Sequence, residues 1–151
     1  MFVVFFMLLY AMLSFGLGFL VRESMQWAAE DGARAALQFQ ASREARRTRA
    51  REIVHSHLAW LPGQLRADLD RDDNFSLLVC RLNDESSCTA SMAPRDLECD
   101  IDRDLPCMLQ LRLKLPYARH AFTPSLTLGQ LELAMPDLQA QAQLLIDQKS
   151  F

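Results

Sequence analysis

The fold is decided by residues 1–21, MFVVFFMLLYAMLSFGLGFLV, and by the helical sequence that follows them. This stretch contains no charged side chain. An α-helix of this length, at about 1.5 Å per residue, covers the roughly 30 Å hydrocarbon core of a bilayer. A cleaved signal peptide is the alternative, but no basic n-region precedes the apolar run and no small-x-small cleavage site directly follows it. The sequence therefore predicts a transmembrane helix over residues 1–21.

Residues 22–61 continue the helical pattern into a polar sequence. They hold no proline and one glycine, Gly32, and they are rich in Ala, Arg, Glu, Gln and Leu, which are strong helix formers. Pro62-Gly63 ends the pattern. We expect one continuous helix, which gives three regions: a transmembrane helix (1–21), its periplasmic extension (22–61) and a small periplasmic β-rich domain (62–151).

A stripe of mostly small, uncharged residues runs along this helix in steps of three and four. It consists of Ala11, Ser14, Gly18, Val21, Met25, Ala28, Gly32, Ala35, Phe39 and Ser42. Small residues allow helix backbones to approach closely, which matters most in lipid. The stripe predicts a helix-packing interface whose small members are Ala11, Ser14, Gly18, Ala28, Gly32 and Ala35. The alternative is chance combined with the preference of alanine for helices.

A basic cluster lies near the end of the same helix. Its members are Arg43, Arg46, Arg47, Arg49 and Arg51. The cluster contains no aromatic residue, and the whole chain carries a net charge of -3. Nucleic-acid binding proteins usually show a strongly basic domain with interleaved aromatics. We therefore expect a solvated helix face or a contact with an acidic neighbour, and no nucleic-acid partner.

The distal domain reads as a small antiparallel sheet. The apolar run 75–80 predicts one strand, and residues 108–115, with Leu at every odd position, predict the clearest one. A third strand after Pro124 changes its apolar phase at Gly129, which indicates a bulge there. Residues 137–148 are predicted as a short helix. The fold class is therefore α+β, with a long N-terminal helix packed against a small antiparallel β-sheet that carries disulfides.

Four cysteines, Cys80, Cys88, Cys99 and Cys107, lie between the first two predicted strands. No CxxC pair is present, so a zinc site is disfavoured relative to disulfides. Two disulfides in an oxidising compartment are favoured over four free thiols. Of the three possible connectivities, Cys80–Cys107 with Cys88–Cys99 inside it is preferred, because Cys80 ends one strand and Cys107 begins its partner.

The side of the membrane is a point of conflict within the sequence. The arginines that follow the span would place the C-terminal side in the cytoplasm by the positive-inside rule, whereas the cysteines favour an oxidising compartment. Most of those arginines lie more than 20 residues beyond the span. We therefore expect the distal domain outside the cytoplasm.

The sequence carries no recognisable catalytic or metal-binding motif. It lacks the nucleophile elbow, the phosphate-binding loop, the dinucleotide fingerprint and the HExxH motif. His55 and His57 would point about 200° apart on a helix, so they are expected to be solvated and not to share a metal. We expect no catalytic residue, no metal and no cofactor.

Two segments together resemble a known family. The first is residues 25–36, with Ala-Ala-Glu-Asp-Gly-Ala-Arg at 28–34, and the second comprises the closing strands at 109–119, 124–128 and 131–134. In these features, and in its apolar N-terminal helix, the chain resembles the TadE-like minor pilins, or pseudopilins, of tight-adherence (Tad/Flp) pili. The region around the cysteines does not share the resemblance.

The resemblance implies a non-catalytic protein of the bacterial inner membrane, with a single span and its C-terminal domain in the periplasm. It implies a role in assembly or initiation of the pilus, with incorporation into the pilus. The implied partners are other pilins or pseudopilins, inner-membrane pilus assembly proteins, membrane lipid and a prepilin peptidase. The leader and early glutamate of such proteins would fall upstream of Met1. The competing interpretations are a bitopic inner-membrane protein whose periplasmic domain binds an envelope partner, and an anchored enzyme or sensor.

Overall fold

The computed structural model describes residues 2–38, 42–82, 84–90, 99, 105–122, 126–128, 131–133 and 136–146. Its helices are α1 (Phe2–Leu37), α2 (Arg43–His57) and α3 (Gly63–Leu69). Its strands are β1 (Phe75–Arg81), β2 (Asp84–Thr89), β3 (Cys107–Leu115), β4 (Leu126–Leu128), β5 (Leu131–Leu133) and β6 (Leu138–Ile146). The predicted fold class is confirmed: a long apolar N-terminal helix, an antiparallel sheet and two disulfides. We call the part of the chain after α1 the head.

The predicted continuous helix over residues 22–61 is wrong, because α1 ends at Leu37 and a second helix begins after Ser42. Ser42 has an extended backbone, and its Oγ accepts a hydrogen bond from the backbone N–H of Ala45 at 3.2 Å. This is the N-cap arrangement, which satisfies an otherwise unpaired backbone donor at a helix start. The serine therefore starts a new helix within a run of strong helix formers.

The second helix folds back along the first, so α1 and α2 form an antiparallel hairpin. Gly32 of α1 lies against Ala50 and Val54 of α2. At the end of α2, Nε2 of His57 lies 3.0 Å from Oδ2 of Asp31. The helical parts of this region, residues 22–37 and 43–57, are consequently the two arms of a hairpin and not one extended stalk.

The main sheet has four antiparallel strands in the order β2-β1-β3-β6. The predicted strands at 75–80 and 108–115 are confirmed as β1 and β3, which pair from Phe75↔Leu113 to Arg81↔Cys107. The leucines at positions 109, 111, 113 and 115 are fully buried, as their alternation predicted. This face packs on the helices, since Leu111 lies next to Gly32 of α1.

The predicted helix at 137–148 is wrong, because the described part of this segment forms β6, the outermost strand beside β3. Leu138, Ala140 and Ala142 are buried, while Gln139 and Gln141 are exposed. This is the period of two that defines a half-buried strand. Alanine is a weak strand former and a strong helix former, so the alternation was masked by residue preference.

The prediction of one third strand after Pro124 is also wrong. Two short strands, β4 and β5, pair antiparallel with Leu126 opposite Leu133 and Leu128 opposite Leu131. Because the leucines belong to two paired strands and not to one, their apolar phase need not continue from β4 to β5. The predicted bulge position, Gly129, lies outside the described residues.

The two disulfides are confirmed, but their predicted pairing is wrong. The bonds are Cys80–Cys88 and Cys99–Cys107. In the β1–β3 register Cys80 lies opposite Met108, and Cys107 lies opposite Arg81. Successive side chains of a strand point to opposite faces, so Cys80 and Cys107 lie on opposite faces of the sheet. The register therefore excludes a bond between them.

Candidate functional site

The helix α1 consists of two parts with different surroundings. In the first, residues 2–20, most large apolar side chains are exposed, as for Phe2 at 76% and Phe19 at 65%. We call this part the membrane half. Within the part of the chain that the structure describes, α1 is the one helix long and apolar enough to cross a bilayer. The membrane half therefore fits a single-pass membrane anchor.

The second part, residues 21–37, is packed against the head, and we call it the distal half. Val21 and Met25 are fully buried, although Leu20 is still 52% exposed. From Val21 onward a buried residue therefore recurs at every turn of α1, whereas in the membrane half only the narrow face of Ser14 and Gly18 is buried. The head sits directly above the segment that fits the membrane, with no linker between them.

The predicted packing stripe is the face of α1 that the chain itself buries. Ser14, Gly18, Ala28, Gly32 and Ala35 are all buried, and Ala11 is partly exposed. For Ala28, Gly32 and Ala35 the stripe is therefore a packing face inside the protein, where Gly32 meets α2 of the same chain, and not a surface for helices of other molecules. Ser14 and Gly18 are in the membrane half but are also buried, so they do not offer a free surface.

Gly32 shows why small residues are needed in the distal half. A Cβ atom at this position would lie 2.9 Å from Cγ2 of Val54, 3.0 Å from Cδ2 of Leu111 and 3.3 Å from the backbone oxygen of Ala50. Such distances are shorter than normal carbon contacts of about 3.5–4.0 Å. The glycine therefore allows α2 and the sheet to meet α1 at the same level.

The exposed face of the membrane half has a different glycine, which the sequence analysis did not select. A Cβ atom at Gly16 would meet no atom within 4 Å. Large exposed side chains lie three and four residues away on the same face, at Met12, Leu13, Phe19 and Leu20. Gly16 therefore leaves a gap in an otherwise bulky apolar surface. The sequence does hold a signal for Gly16: this glycine lies outside the stripe of small residues, on the bulky face of the helix.

Gln26 connects the distal half of α1 to the edge of the sheet. Its Nε2 donates to the backbone oxygen of Gln141 in β6 at 3.1 Å, and its Oε1 accepts from the backbone N–H of Gln141 at 3.4 Å. The side-chain amide thus forms, at Gln141, the two backbone hydrogen bonds that a neighbouring strand would otherwise form. It fixes the height of β6 along α1 and covers part of an edge that would otherwise be open to pairing.

The basic cluster of α2 contacts an acidic neighbour, as predicted. Nη2 of Arg47 and Nη2 of Arg51 lie 2.7 and 3.1 Å from Oδ1 of Asp72. The Arg51 guanidinium also lies over the ring of Phe75, 5.0 Å from its centre. Arg46 of the same helix is buried, and this burial lowers the pKa of its guanidinium. The cluster therefore joins α2 to the segment that precedes β1.

The sequence suggested that the two histidines of α2 are solvated, but in the structure each of them contacts an acidic side chain. Nε2 of His55 lies 2.7 Å from Oδ1 of Asp70, and His57 contacts Asp31 of α1. Among the described residues, no group of three or more His, Cys, Asp or Glu side chains is arranged to hold a metal ion. These histidines therefore connect helices.

These features define a class of protein: a single apolar helix that fits a membrane anchor, continuous with a small disulfide-bonded α+β head. A family model described as TadE-like protein matches residues 1–34, which lie within and just before α1. The resemblance to TadE-like pilins is thus confirmed over the N-terminal segment, and it supports a role associated with Tad pili. No curated protein matches the chain, and no solved structure matches it.

Proposed function

We propose that this chain is a minor pilin, or pseudopilin, that acts in the assembly or initiation of a Tad/Flp-type pilus. The observation that carries the proposal is the coincidence of the TadE-like match at residues 1–34 with a helix whose apolar side chains are left uncovered by the head. An uncovered apolar helix can be stable in lipid and can then pack against the helices of other pilins. The proposed role is structural and not catalytic.

Gly16 is the proposed centre of that helix contact. Association of helices in lipid depends on close packing, for which a small residue among large ones provides the space. The gap at Gly16 lies on the exposed face of the membrane half, whereas Gly18 lies on the buried face. The proposed partners are therefore the apolar helices of other pilins or pseudopilins and of inner-membrane assembly proteins, in addition to lipid. A prepilin peptidase is the proposed processing enzyme.

The head is proposed to lie in the periplasm. Its two disulfides support this location, because disulfides persist in oxidising compartments and are rare in the cytosol. In intact cells, a maleimide that modifies thiols should label the head only after a reductant has been added. Labelling of all four cysteines without reductant, and only in lysed cells, would place the head in the cytosol.

Deletion of the gene and complementation with variants test the function. The deletion strain should lose its pili in electron micrographs, and the wild-type gene should restore them. Gly16→Leu should fail to restore pili at a normal protein level, because the new side chain fills the gap while its Cβ meets no other atom of the chain within 4 Å. Leu9→Phe, an enlargement at another exposed position of α1, is the matched control and should restore pili.

The outcomes separate the function from the contact that is proposed to support it. Normal pili in the deletion strain would contradict the pilus role and favour the bitopic protein whose head binds an envelope partner. Normal pili with Gly16→Leu would remove Gly16 from the interface and leave the pilus role standing.

A further inference from the structure

Exposed aromatic side chains of the head lie close to one another. The described aromatic residues beyond the apolar segment are Trp27, Trp60, Phe75, Tyr117 and Phe122. Phe75 and Tyr117 are buried, and burial raises the pKa of the Tyr117 phenol. By contrast, Trp27 is 63% exposed, Trp60 45% and Phe122 39%. The rings of Trp60 and Phe122 are nearly parallel, with their centres 6.1 Å apart, so they form one exposed aromatic pair.

This pair lies at the end of the head that is nearer the membrane half of α1. The helix α2 runs back along α1, and His57 at its end contacts Asp31. The chain leaves α2 there and reaches Trp60 three residues later. Asp31 lies ten residues beyond Val21, or about 15 Å along the helix axis. The headgroup layer fills roughly the first 5–8 Å of that distance. The arrangement proposed below requires Trp60, which follows the end of α2, and a tilt of α1 toward the head to span the remaining distance of about 7–10 Å.

The path of β3 places the aromatic pair at one end of the sheet. Phe122 follows the Leu115 end of this strand, whereas Cys107 with its disulfide begins the strand. Eight residues of strand separate the two ends by about 27 Å. The exposed aromatic pair and the Cys99–Cys107 disulfide are therefore at opposite ends of the sheet.

Two arginines flank the aromatic pair in the chain. Arg66 lies in α3, just after Trp60, and Arg119 lies in the turn that precedes Phe122. Both are exposed, and neither forms an ion pair with another described residue. Most arginines of α2, in contrast, have acidic partners. Indole rings and arginine side chains are the groups that favour the boundary between water and lipid, where arginine meets phosphate.

We propose that this end of the head, formed by Trp60, Phe122, Arg66 and Arg119, rests in the phospholipid headgroup layer of the bilayer that α1 crosses. The aromatic pair occupies the interface, and the two guanidinium groups bind lipid phosphates. This second attachment, beside α1, sets the rotation of the head about the helix axis. The inference rests on the proposed insertion of α1 in the membrane.

Tryptophan fluorescence of the full chain in vesicles tests the inference, because the chain has two tryptophans. In the Trp27→Phe variant the remaining emission comes from Trp60. The variant is reconstituted in vesicles of phosphatidylethanolamine and phosphatidylglycerol whose acyl chains are brominated either near the headgroup or near the bilayer centre. Lipids brominated near the headgroup should lower the Trp60 emission about twofold, and those brominated near the centre should lower it less.

A charge variant and a matched tryptophan variant sharpen the result. Adding Arg66→Gln and Arg119→Gln to the Trp27→Phe chain should reduce the quenching of Trp60, since the contact with phosphate is lost. The Trp60→Phe variant reports Trp27 on α1, whose quenching should not depend on these arginines. The thermal melting of each variant in detergent is the control for folding.

Flotation of the vesicles distinguishes the two ways in which the idea can fail. If the protein floats with the vesicles and Trp60 is quenched by acrylamide but by neither brominated lipid, the headgroup contact is wrong and the anchor stands. If the protein does not float with the vesicles, both the anchor and the headgroup contact are wrong.

Discussion

The two halves of α1 show that burial in this protein does not follow hydrophobicity. The membrane half carries the bulky apolar residues, and most of them are exposed, whereas the distal half buries alanines and Gly32. Bulky side chains that face lipid tails need no partner from the protein. Small residues are needed where another backbone approaches, as α2 and β3 do at Gly32. Small residues of the distal half therefore mark close contact within the chain, whereas Gly16 of the membrane half has no such neighbour.

The largest expected effect comes from filling a glycine in each half. Gly32→Leu should lower the free energy of unfolding of the head by about 3 kcal/mol, because the new side chain overlaps Val54, Leu111 and the backbone at Ala50. Gly16→Leu should leave this free energy unchanged within about 0.5 kcal/mol, since nothing lies near it. Denaturant unfolding in detergent, followed by circular dichroism, measures both. Equal losses in the two variants would break the distinction between the halves.

The next effect concerns the disulfides, which stabilise the head and not the membrane half. The double variant Cys80→Ser with Cys88→Ser should lose about 2.5 kcal/mol in the chain-entropy model. The pair Cys99→Ser with Cys107→Ser should lose a similar amount, because both bonds join cysteines separated by 8 positions. Unfolding midpoints in detergent measure the loss, and flotation with vesicles should be unchanged. Loss of vesicle binding would show that the head and the anchor are not independent.

The smallest effect concerns the contact between the distal half and the edge of the sheet. Gln26→Ala removes both hydrogen bonds to Gln141, which should cost about 1 kcal/mol and speed amide exchange at Gln141. Gln38→Ala is the matched control at an exposed position just after the end of α1, and it should change stability by less than about 0.5 kcal/mol. Amide exchange measured by mass spectrometry reads the edge of β6 directly. Unchanged exchange in Gln26→Ala would show that this contact does not hold the strand.

The sequence predicted the features whose signal lies within one continuous segment of the chain. The uncharged run gave the apolar part of α1, and the alternation of leucines gave β3 with its buried face. The clustering of cysteines gave two disulfides. In each case the signal lies within about 30 residues, so it needed no knowledge of what packs against the segment.

Features that depend on a partner in space were not predictable in the same way. The stripe on α1 identified the buried face, but its period does not say whether a second molecule or the same chain covers it. The disulfide pairing depends on the register between β1 and β3, in which Cys80 lies opposite Met108. A shift by one residue would place Cys80 opposite Cys107. The break before α2 depends on the cap at Ser42, a single side chain that competes with strong helix formers on both sides.

The continuity of α1 from the membrane half to the distal half makes the protein a lever. Sixteen residues separate Val21 from Leu37, so the distal half rises about 24 Å above the apolar segment. A tilt of about 20°, which is common for membrane helices, moves that end sideways by about 8 Å. Since the core of the head packs on the distal half of the same helix, the outer surface of the head moves with every such tilt. A change in the packing of neighbouring helices against the membrane half would thereby move the surface of the head that faces away from the bilayer.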